Sequence, residues 1–390
     1  MQTDNTFEII VLGGGIAGAA TAKTLAQRGL RVLLIDQFEP GHDRGSSHGD
    51  GRIIRLAYPE PIYLQMARLA YAGWEQLAAE AGEPLTRISG GLDCGPVGSS
   101  NLAELAANFE RHGVPYEHLS AAESNRRFPH FHLEPGSEAI FQADAGVAFA
   151  TPAVKALWRL ARQFGAATVT GQRIEQIIIE NDSCRLRSES GQSWAATRLV
   201  ITAGGWLPKL LPQLNLALPL AVTQEQVMYF PVNGSLSHRA GDMPVLIDHH
   251  HTPQFYALPQ IEIPGVKVGG HHTGPQVNPD QRPPVDERNV AAVQAFVSRR
   301  FPRLNANAPT RVTRCLYTTT PDHHFILDRH PELASVVIGG GFSGHGFKFG
   351  PALGQILAAL ALNEPPPLAL DTFAIRRLTH PTQLDARTGA

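Results

Sequence analysis

Across residues 7–36 the polarity of the chain changes in step with the elements it predicts. The apolar run Ile9-Ile10-Val11-Leu12 reads as a buried strand that breaks at Gly13-Gly14-Gly15. Residues 19–27, rich in Ala and Leu, read as a helix stopped by Gly29, and residues 30–35 form a second apolar strand ending on Asp36. Gly13, Gly15 and Gly18 fit G-x-G-x-x-G. The first glycine permits a sharp turn, the second lets backbone approach a pyrophosphate, and the third lets the helix pack closely on the strand. The helix start, with Ile16 and Ala17 in the turn leading into it, presents free N–H groups and the positive end of the dipole to such a ligand. Asp36, followed by Gln37, stands where an acid accepts from ribose hydroxyls. Glycine turns occur by chance; the order strand, turn, helix, strand, acid is what points to a dinucleotide.

The loop 38–51 is polar and glycine-rich, with Ser46, Ser47, His48 and Asp50, and it runs into Arg52-Ile53-Ile54-Arg55. It reads as a backbone that wraps a ligand, with His48, Arg52 and Arg55 as donors, or as a solvated surface loop. Residues 63–81 place Leu64, Ala67, Tyr71, Trp74 and Ala78 at helical spacing, so one face is core. Helices are expected at 101–113 and 152–164, and a hairpin at 173–187 around Asn181-Asp182. The strand 198–202 enters a second glycine turn, Ala203-Gly204-Gly205-Trp206, expected beside the first turn at the cofactor; Trp206 itself reads more readily as core.

From 218 to 319 the pattern becomes strand-like at 227–232, 254–258 and 266–269, interrupted by a helix at 286–300. This predicts a mostly antiparallel second domain carrying Tyr256, Lys267, His271 and His272. The run His249-His250-His251 lacks a spaced acid or cysteine partner and reads as a solvated loop rather than a metal site. Finally, the strand Val336-Val337-Ile338 enters Gly339-Gly340-Gly341-Phe342-Ser343-Gly344-His345-Gly346-Phe347-Lys348, and a helix follows over 351–362. If this helix start faces the pyrimidine end of a flavin, its dipole and Lys348 favour the negative charge that develops on reduction.

At 390 residues the chain is long enough for two domains and a large cofactor. With 33 basic and 35 acidic residues its net charge is −2, which offers no basic surface for nucleic acid and favours small-molecule chemistry. Cys94, Cys184 and Cys315 stand far apart without a C-x-x-C pair, which argues against zinc and a disulfide framework and fits a reducing compartment. Asp4 and Glu8 replace the basic start of a signal peptide, no run reaches the ~20 apolar residues of a membrane span, and the ending Arg387-Thr388-Gly389-Ala390 is not a peroxisomal tripeptide. The expectation is a soluble cytoplasmic protein.

Taken together, the chain resembles the monomeric sarcosine oxidase and N-methyltryptophan oxidase family, within the D-amino acid oxidase superfamily of flavoproteins, over nearly its full length. The resemblance rests on residues 13–18, on Ser47-His48-Gly49-Asp50-Gly51-Arg52-Ile53-Ile54-Arg55, on 267–271, on Cys315-Leu316-Tyr317-Thr318-Thr319-Thr320-Pro321-Asp322, and on 341–348. It implies an α/β (α+β) fold. A discontinuous Rossmann-like FAD domain would span 1–85, 147–215 and 320–390, and a mainly antiparallel substrate domain 86–146 and 216–319. Cofactor contacts would come from the first turn, from Asp36, Gln37, Ser46, Ser47, Ala203, Gly204 and Trp206, and from Phe342, Ser343, Gly344, His345, Gly346 and Lys348.

The resemblance further implies a thioether from Cys315 to the flavin 8-methyl carbon, where the residues alone suggest a buried thiol. Lys267 would promote the reaction with O2, where the residues alone allow a salt-bridged lysine. Arg55 and Lys348 would bind the substrate carboxylate, Tyr256, Tyr317 and His271 would line the cavity, and His48 and Arg52 would tune the flavin from its other side. Family members often carry two histidines before the Gly-Asp and a Thr before the first Arg; here Ser47-His48 and Gly51 stand there. The implied reaction oxidises the secondary amine of an N-methyl amino acid to an imine that water hydrolyses, with O2 reduced to hydrogen peroxide. No carboxylate base is evident among these residues, so a cation-rich site that lowers the amine pKa would favour the neutral amine. Alternatives are an oxidase of pipecolate, proline or a fructosyl amino acid, a dehydrogenase with another acceptor, and a flavin-binding redox sensor. The resemblance suggests a monomer.

Overall fold

The computed structural model describes residues 6–180 and 183–379. These described residues form two compact units, one within the stretches 6–47, 154–222 and 317–379, the other within 48–153 and 223–316. This division differs from the expected one chiefly at 48–85 and 147–153. Gly51–Ile54 pairs with Gly146–Phe149, which in turn pairs with Thr86–Ile88, and this three-stranded sheet carries those residues into the second unit.

The first unit is built on the opening strand Thr6–Leu12, which pairs parallel with Val32–Ile35 on one side and with Ser193–Ile201 on the other. Val32–Ile35 continues to Ala167–Val169. Ser193–Ile201 is shared: its first half takes Ser183–Ser188 antiparallel, and Leu199, Val200 and Ile201 take Val336–Gly340 parallel. Ile174–Glu180 and Ser183–Ser188 are the arms of the expected hairpin; its turn, Asn181-Asp182, lies outside the described residues. The central strands are apolar at successive positions because both their faces are buried. Helix Gly350–Leu362 packs on helix Ile16–Gln27 so closely that a Cβ on Gly354 would lie 2.8 Å from Ala20, and one on Gly350 would lie 2.3 Å from the Ile16 side chain.

The second unit holds a sheet in the order Arg311–Thr319, Ala221–Phe230, Val266–Gly270, Phe255–Leu258, Val245–Asp248, Gly91–Pro96, Ser137–Gln142, Glu117–Ser120. Its pairs are antiparallel from Ala221–Phe230 to Val245–Asp248 and from Gly91–Pro96 to Glu117–Ser120, and parallel where Val245–Asp248 meets Gly91–Pro96. Helix Glu287–Arg300, capped by the Asp286 carboxylate accepting from Arg288 N–H at 3.0 Å, lays Val290, Val293, Phe296 and Val297 into a core with Met228, Phe230, Val266 and Val268. Helices Pro61–Ala81 and Ser100–His112 end on Gly82 and Gly113 in the left-handed conformation. Among the described residues no helix is long and apolar enough to cross a membrane.

Candidate active site

In the first unit, Gly13 has φ +103°, and a Cβ there would lie 2.5 Å from the Thr202 carbonyl oxygen. A Cβ on Gly18 would lie 1.8 Å from the carbonyl oxygen of Gly13, so this glycine is what lets the helix close on the turn. The two glycine turns are thus adjacent, with Thr202 Oγ1 donating to Gly13 O at 2.7 Å and Gly204 at φ +52° just beyond. Gly15 begins the helix without a side-chain cap, and no acid occupies its first turn, leaving a start suited to an anion.

Hydrogen bonds hold this turn. Ile16 N–H donates to Ser47 Oγ at 3.0 Å, Gly14 N–H to Asp36 Oδ2 at 2.6 Å, and Trp158 Nε1 to Gly14 O at 2.8 Å. Asp36 Oδ1 accepts from Phe38 N–H at 2.8 Å; burial pushes this carboxyl up, and His42, 3.9 Å away, opposes the rise. Ala17 is buried in the first turn, Gln37 half-buried and Ser46 exposed. Trp206 is half-buried rather than core, with its ring 5.5 Å from that of Phe38.

The second glycine-rich loop of this unit is strained. Gly341, Ser343 and Gly344 all have positive φ, and for a serine that conformation costs roughly 1–3 kcal/mol. Ser343 is fully buried and compensated: its N–H donates to Thr318 O at 2.9 Å and its Oγ to Gly341 O at 3.0 Å. A Cβ on Gly344 would lie 2.3 Å from the Tyr317 ring, so glycine lets the loop lie against that tyrosine. The Phe342 ring packs 5.3 Å from Phe325, and a Cβ on Gly346 would meet Phe342 at 2.6 Å. Lys348 Nζ donates to His345 O at 3.0 Å, and helix Gly350–Leu362 again starts without a side-chain cap. Two glycine cradles that a Cβ would fill, two uncapped helix starts and an acid at a strand end fit a flavin adenine dinucleotide.

In the second unit, Lys267 Nζ donates to the carbonyl oxygen of Gly51 at 2.9 Å, and Arg52 Nη1 donates to the same oxygen at 2.9 Å. Burial draws the Lys267 ammonium down to about 7, the Arg52 charge adds to this, and Cys315 and Asp50 oppose it. Burial pushes the Cys315 thiol up, while Arg52 and Lys267 favour its thiolate. Arg52, Lys267 and Cys315, far apart in sequence, therefore act on one another in one place, with His48 buried in the segment before Arg52. A Cβ on Gly51 would lie 2.5 Å from Ile261 Cδ1, so any larger residue here requires that side-chain end to shift.

Arg55 pairs through Nη1 with Asp93 Oδ1, and its guanidinium lies 5.4 Å over the Tyr58 ring. Tyr256 stands opposite Gly269 in register, and a Cβ on Gly269 would come within 2.9 Å of the tyrosine hydroxyl oxygen. His271 N–H donates to Gln254 O at 2.8 Å, and its ring meets His272 edge-on at 4.1 Å. The turn after it is fixed by Glu225, a buried acid whose Oε2 accepts from Thr273 N–H and Gly274 N–H at 2.9 Å each.

Asp93 and Glu225, which the sequence did not single out, organise this unit together with His249, expected in a solvated loop. Each is a polar position inside an apolar or loop segment, and a buried acid in a strand is the signal that could have found the first two. The His249-His250-His251 run is also more than a solvated loop. His249 Nε2 lies 2.9 Å from Asp93 Oδ1, and His250 lies 2.9 Å from both Asp248 Oδ1 and Ser137 Oγ. Cys94, Asp248 and His250 bring ligand-type atoms within 4.8 Å of one another, and Arg300 supplies the positive charge there, donating from Nε to Asp248 Oδ2 at 2.7 Å.

A doubly glycine-cradled parallel sheet, together with a unit in which the buried Lys267 is set beside half-buried Arg52 and Cys315, defines a dinucleotide-dependent redox protein. The chain belongs to the FAD dependent oxidoreductase (DAO) family, which it matches over residues 8–360. It is 38% identical over 387 residues to peroxisomal sarcosine oxidase of Mus musculus, covering 97% of each chain. It is 30% identical over 386 residues to N-methyl-L-tryptophan oxidase of Salmonella agona (strain SL483), covering 96% of this chain and 99% of that one. Its fold is that of NikD, an unusual amino acid oxidase essential for nikkomycin biosynthesis, with a TM-score of 0.84 at 24% identity over 95% of this chain and 97% of that one.

Proposed function

We propose that this protein oxidises the secondary amine of an N-methyl or other N-alkyl amino acid such as sarcosine or N-methyltryptophan, with O2 as acceptor, hydrogen peroxide as product and FAD joined to Cys315 by a thioether. Bound FAD supplies the two-electron acceptor for the carbon–hydrogen bond beside the amine and returns the electrons to O2. The observation that carries the reading is the Lys267–Arg52–Cys315 cluster. A fixed, buried ammonium stabilises the superoxide that forms as O2 takes its first electron. Burial holds Cys315 as a thiol by raising its pKa, and the same two cations offset part of that rise, favouring the charge a nucleophilic sulfur needs to form a thioether.

The turn at Gly13, Gly15 and Gly18 holds the pyrophosphate, and Asp36 the ribose. Arg55 offers its planar guanidinium to the substrate carboxylate, Tyr317 and His271 donate hydrogen bonds to the substrate, and Tyr256 lines the cavity. Tyr317 and Lys348 keep the substrate roles that the resemblance gives them, and His48 its role toward the flavin. The full-length similarity to a sarcosine oxidase and an N-methyl-L-tryptophan oxidase supports this substrate class. With sarcosine the products are glycine and formaldehyde. The three cysteines carry no disulfide, which supports a cytoplasmic setting, and we take the working form to be a monomer.

The test is hydrogen peroxide release by the purified yellow protein with sarcosine, N-methyltryptophan and pipecolate. Peroxide formed from an N-methyl amino acid, with one aldehyde per turnover, supports the reading. Peroxide from pipecolate alone, or from none of the three, overturns it.

A further inference from the structure

We infer that Asp93 is a positioning residue for Arg55, held in turn by His249 and Gln254, so that one edge of the guanidinium is committed to the protein and the other is offered to a substrate carboxylate. The inference rests on the assignment of Arg55 proposed above.

Asp93 lies inside Gly91–Pro96, between the apolar Leu92 and the buried Cys94, and is flanked in register by Ile247 and Ile140. A carboxylate there costs stability unless it is paired and hydrogen-bonded. One oxygen, Oδ1, accepts both from Arg55 Nη1 and from His249 Nε2, the latter at 2.9 Å. Gln254 Nε2 donates to His249 Nδ1 at 2.9 Å, which selects the histidine tautomer that donates to Asp93. The backbone fixes the supports as well: His249 N–H donates to Cys94 O, and His271 N–H to Gln254 O, each at 2.8 Å. One hydrogen-bonded chain therefore runs from the guanidinium proposed for the carboxylate to the strand end that carries His271.

Arg55 and His249 together outweigh the effect of burial and hold the Asp93 carboxyl below its usual range. The anion is thus retained beside Arg55, where it orients the guanidinium and takes up part of its charge.

The test uses flavin-loaded Arg55→Ala, Asp93→Ala, Asp93→Asn and the Arg55→Ala/Asp93→Ala double variant. For each, KM for sarcosine, the anaerobic bleaching rate at saturation, and the affinity for propionate are measured, the last from the shift in flavin absorbance. Loss of a charge-assisted hydrogen bond predicts that Asp93→Ala raises KM and weakens propionate about tenfold. The saturated bleaching rate changes far less, Asp93→Asn recovers part of the loss, and Asp93→Ala adds little once Arg55 is gone. Wild-type KM and propionate affinity in both Asp93 variants, with a KM raised by Arg55→Ala, overturn this inference alone. An unchanged KM in Arg55→Ala overturns the assignment of Arg55 and this inference with it.

Discussion

Lys267 and Gly51 are joined by a hydrogen bond of 2.9 Å from Nζ to the carbonyl oxygen, so the ammonium is fixed rather than mobile. Lys267→Met removes the charge and keeps the length of the side chain. It is expected to slow the reaction of the reduced enzyme with O2 by about 10²–10³, the usual effect of losing one preorganised electrostatic group. Anaerobic bleaching by substrate should change much less. Stopped-flow mixing of the reduced variant with oxygenated buffer separates the two steps.

The same lysine sets a pH dependence. Burial and the Arg52 charge bring it down to about 7, so it is cationic below that pH and neutral above. The rate of reoxidation is therefore expected to fall as pH rises through about 7, and to lose this dependence in Lys267→Met. A profile of reoxidation rate against pH for the two proteins checks the sign.

Gly51→Thr places a side chain where Ile261 Cδ1 stands 2.5 Å from the new Cβ. That atom is the end of a half-buried, flexible side chain, so turning it aside costs about 1 kcal/mol. The expected outcome is a lowered denaturant midpoint that Ile261→Ala restores in part. Equal stability of Gly51→Thr and the parent would contradict it.

How much of this was legible in the sequence follows from the range of the interactions. The first glycine turn is local: its glycines, helix and acid lie within a few dozen residues, and the periods of strand and helix give them away. The terminal loop of Phe342 to Lys348 was legible for the same reason. The unit boundary was not, because the strand Gly51–Ile54 is too short and too polar to announce itself, and its partner Gly146–Phe149 lies almost a hundred residues on. The roles of Asp93, Glu225 and His249 were hidden for a related reason. Each is defined by a partner distant in sequence, Arg55 and His249 for Asp93 and the Thr273 and Gly274 N–H groups for Glu225, which spacing along the chain does not give.

Arg300 is fully buried and joins Asp248, Glu134 and the carbonyl oxygen of His132. Burial pushes the Asp248 carboxyl up, but His250 and Arg300 outweigh it and bring it to about 2. Arg300→Met strands that anion and is expected to cost about 3–5 kcal/mol in urea unfolding. Because the folded pKa of Asp248 is depressed, its contribution is present above the unfolded carboxylate value of about 3.9 and is lost as pH falls toward 2. In Asp248→Asn that part of the acid-side loss of stability should be missing.

Cys315→Ser keeps the size of the side chain and removes the sulfur. Acid precipitation is expected to leave the flavin with the wild-type chain and to release it from the variant. Flavin in the supernatant of the wild-type protein would remove the role assigned to Cys315.

The most direct measurement is anaerobic mixing of the purified holoprotein with sarcosine and with N-methyltryptophan while the visible flavin spectrum is followed. The account predicts complete bleaching by at least one of them and return of the oxidised spectrum, with one hydrogen peroxide per flavin, when O2 is admitted. A flavin that stays oxidised with both would contradict it.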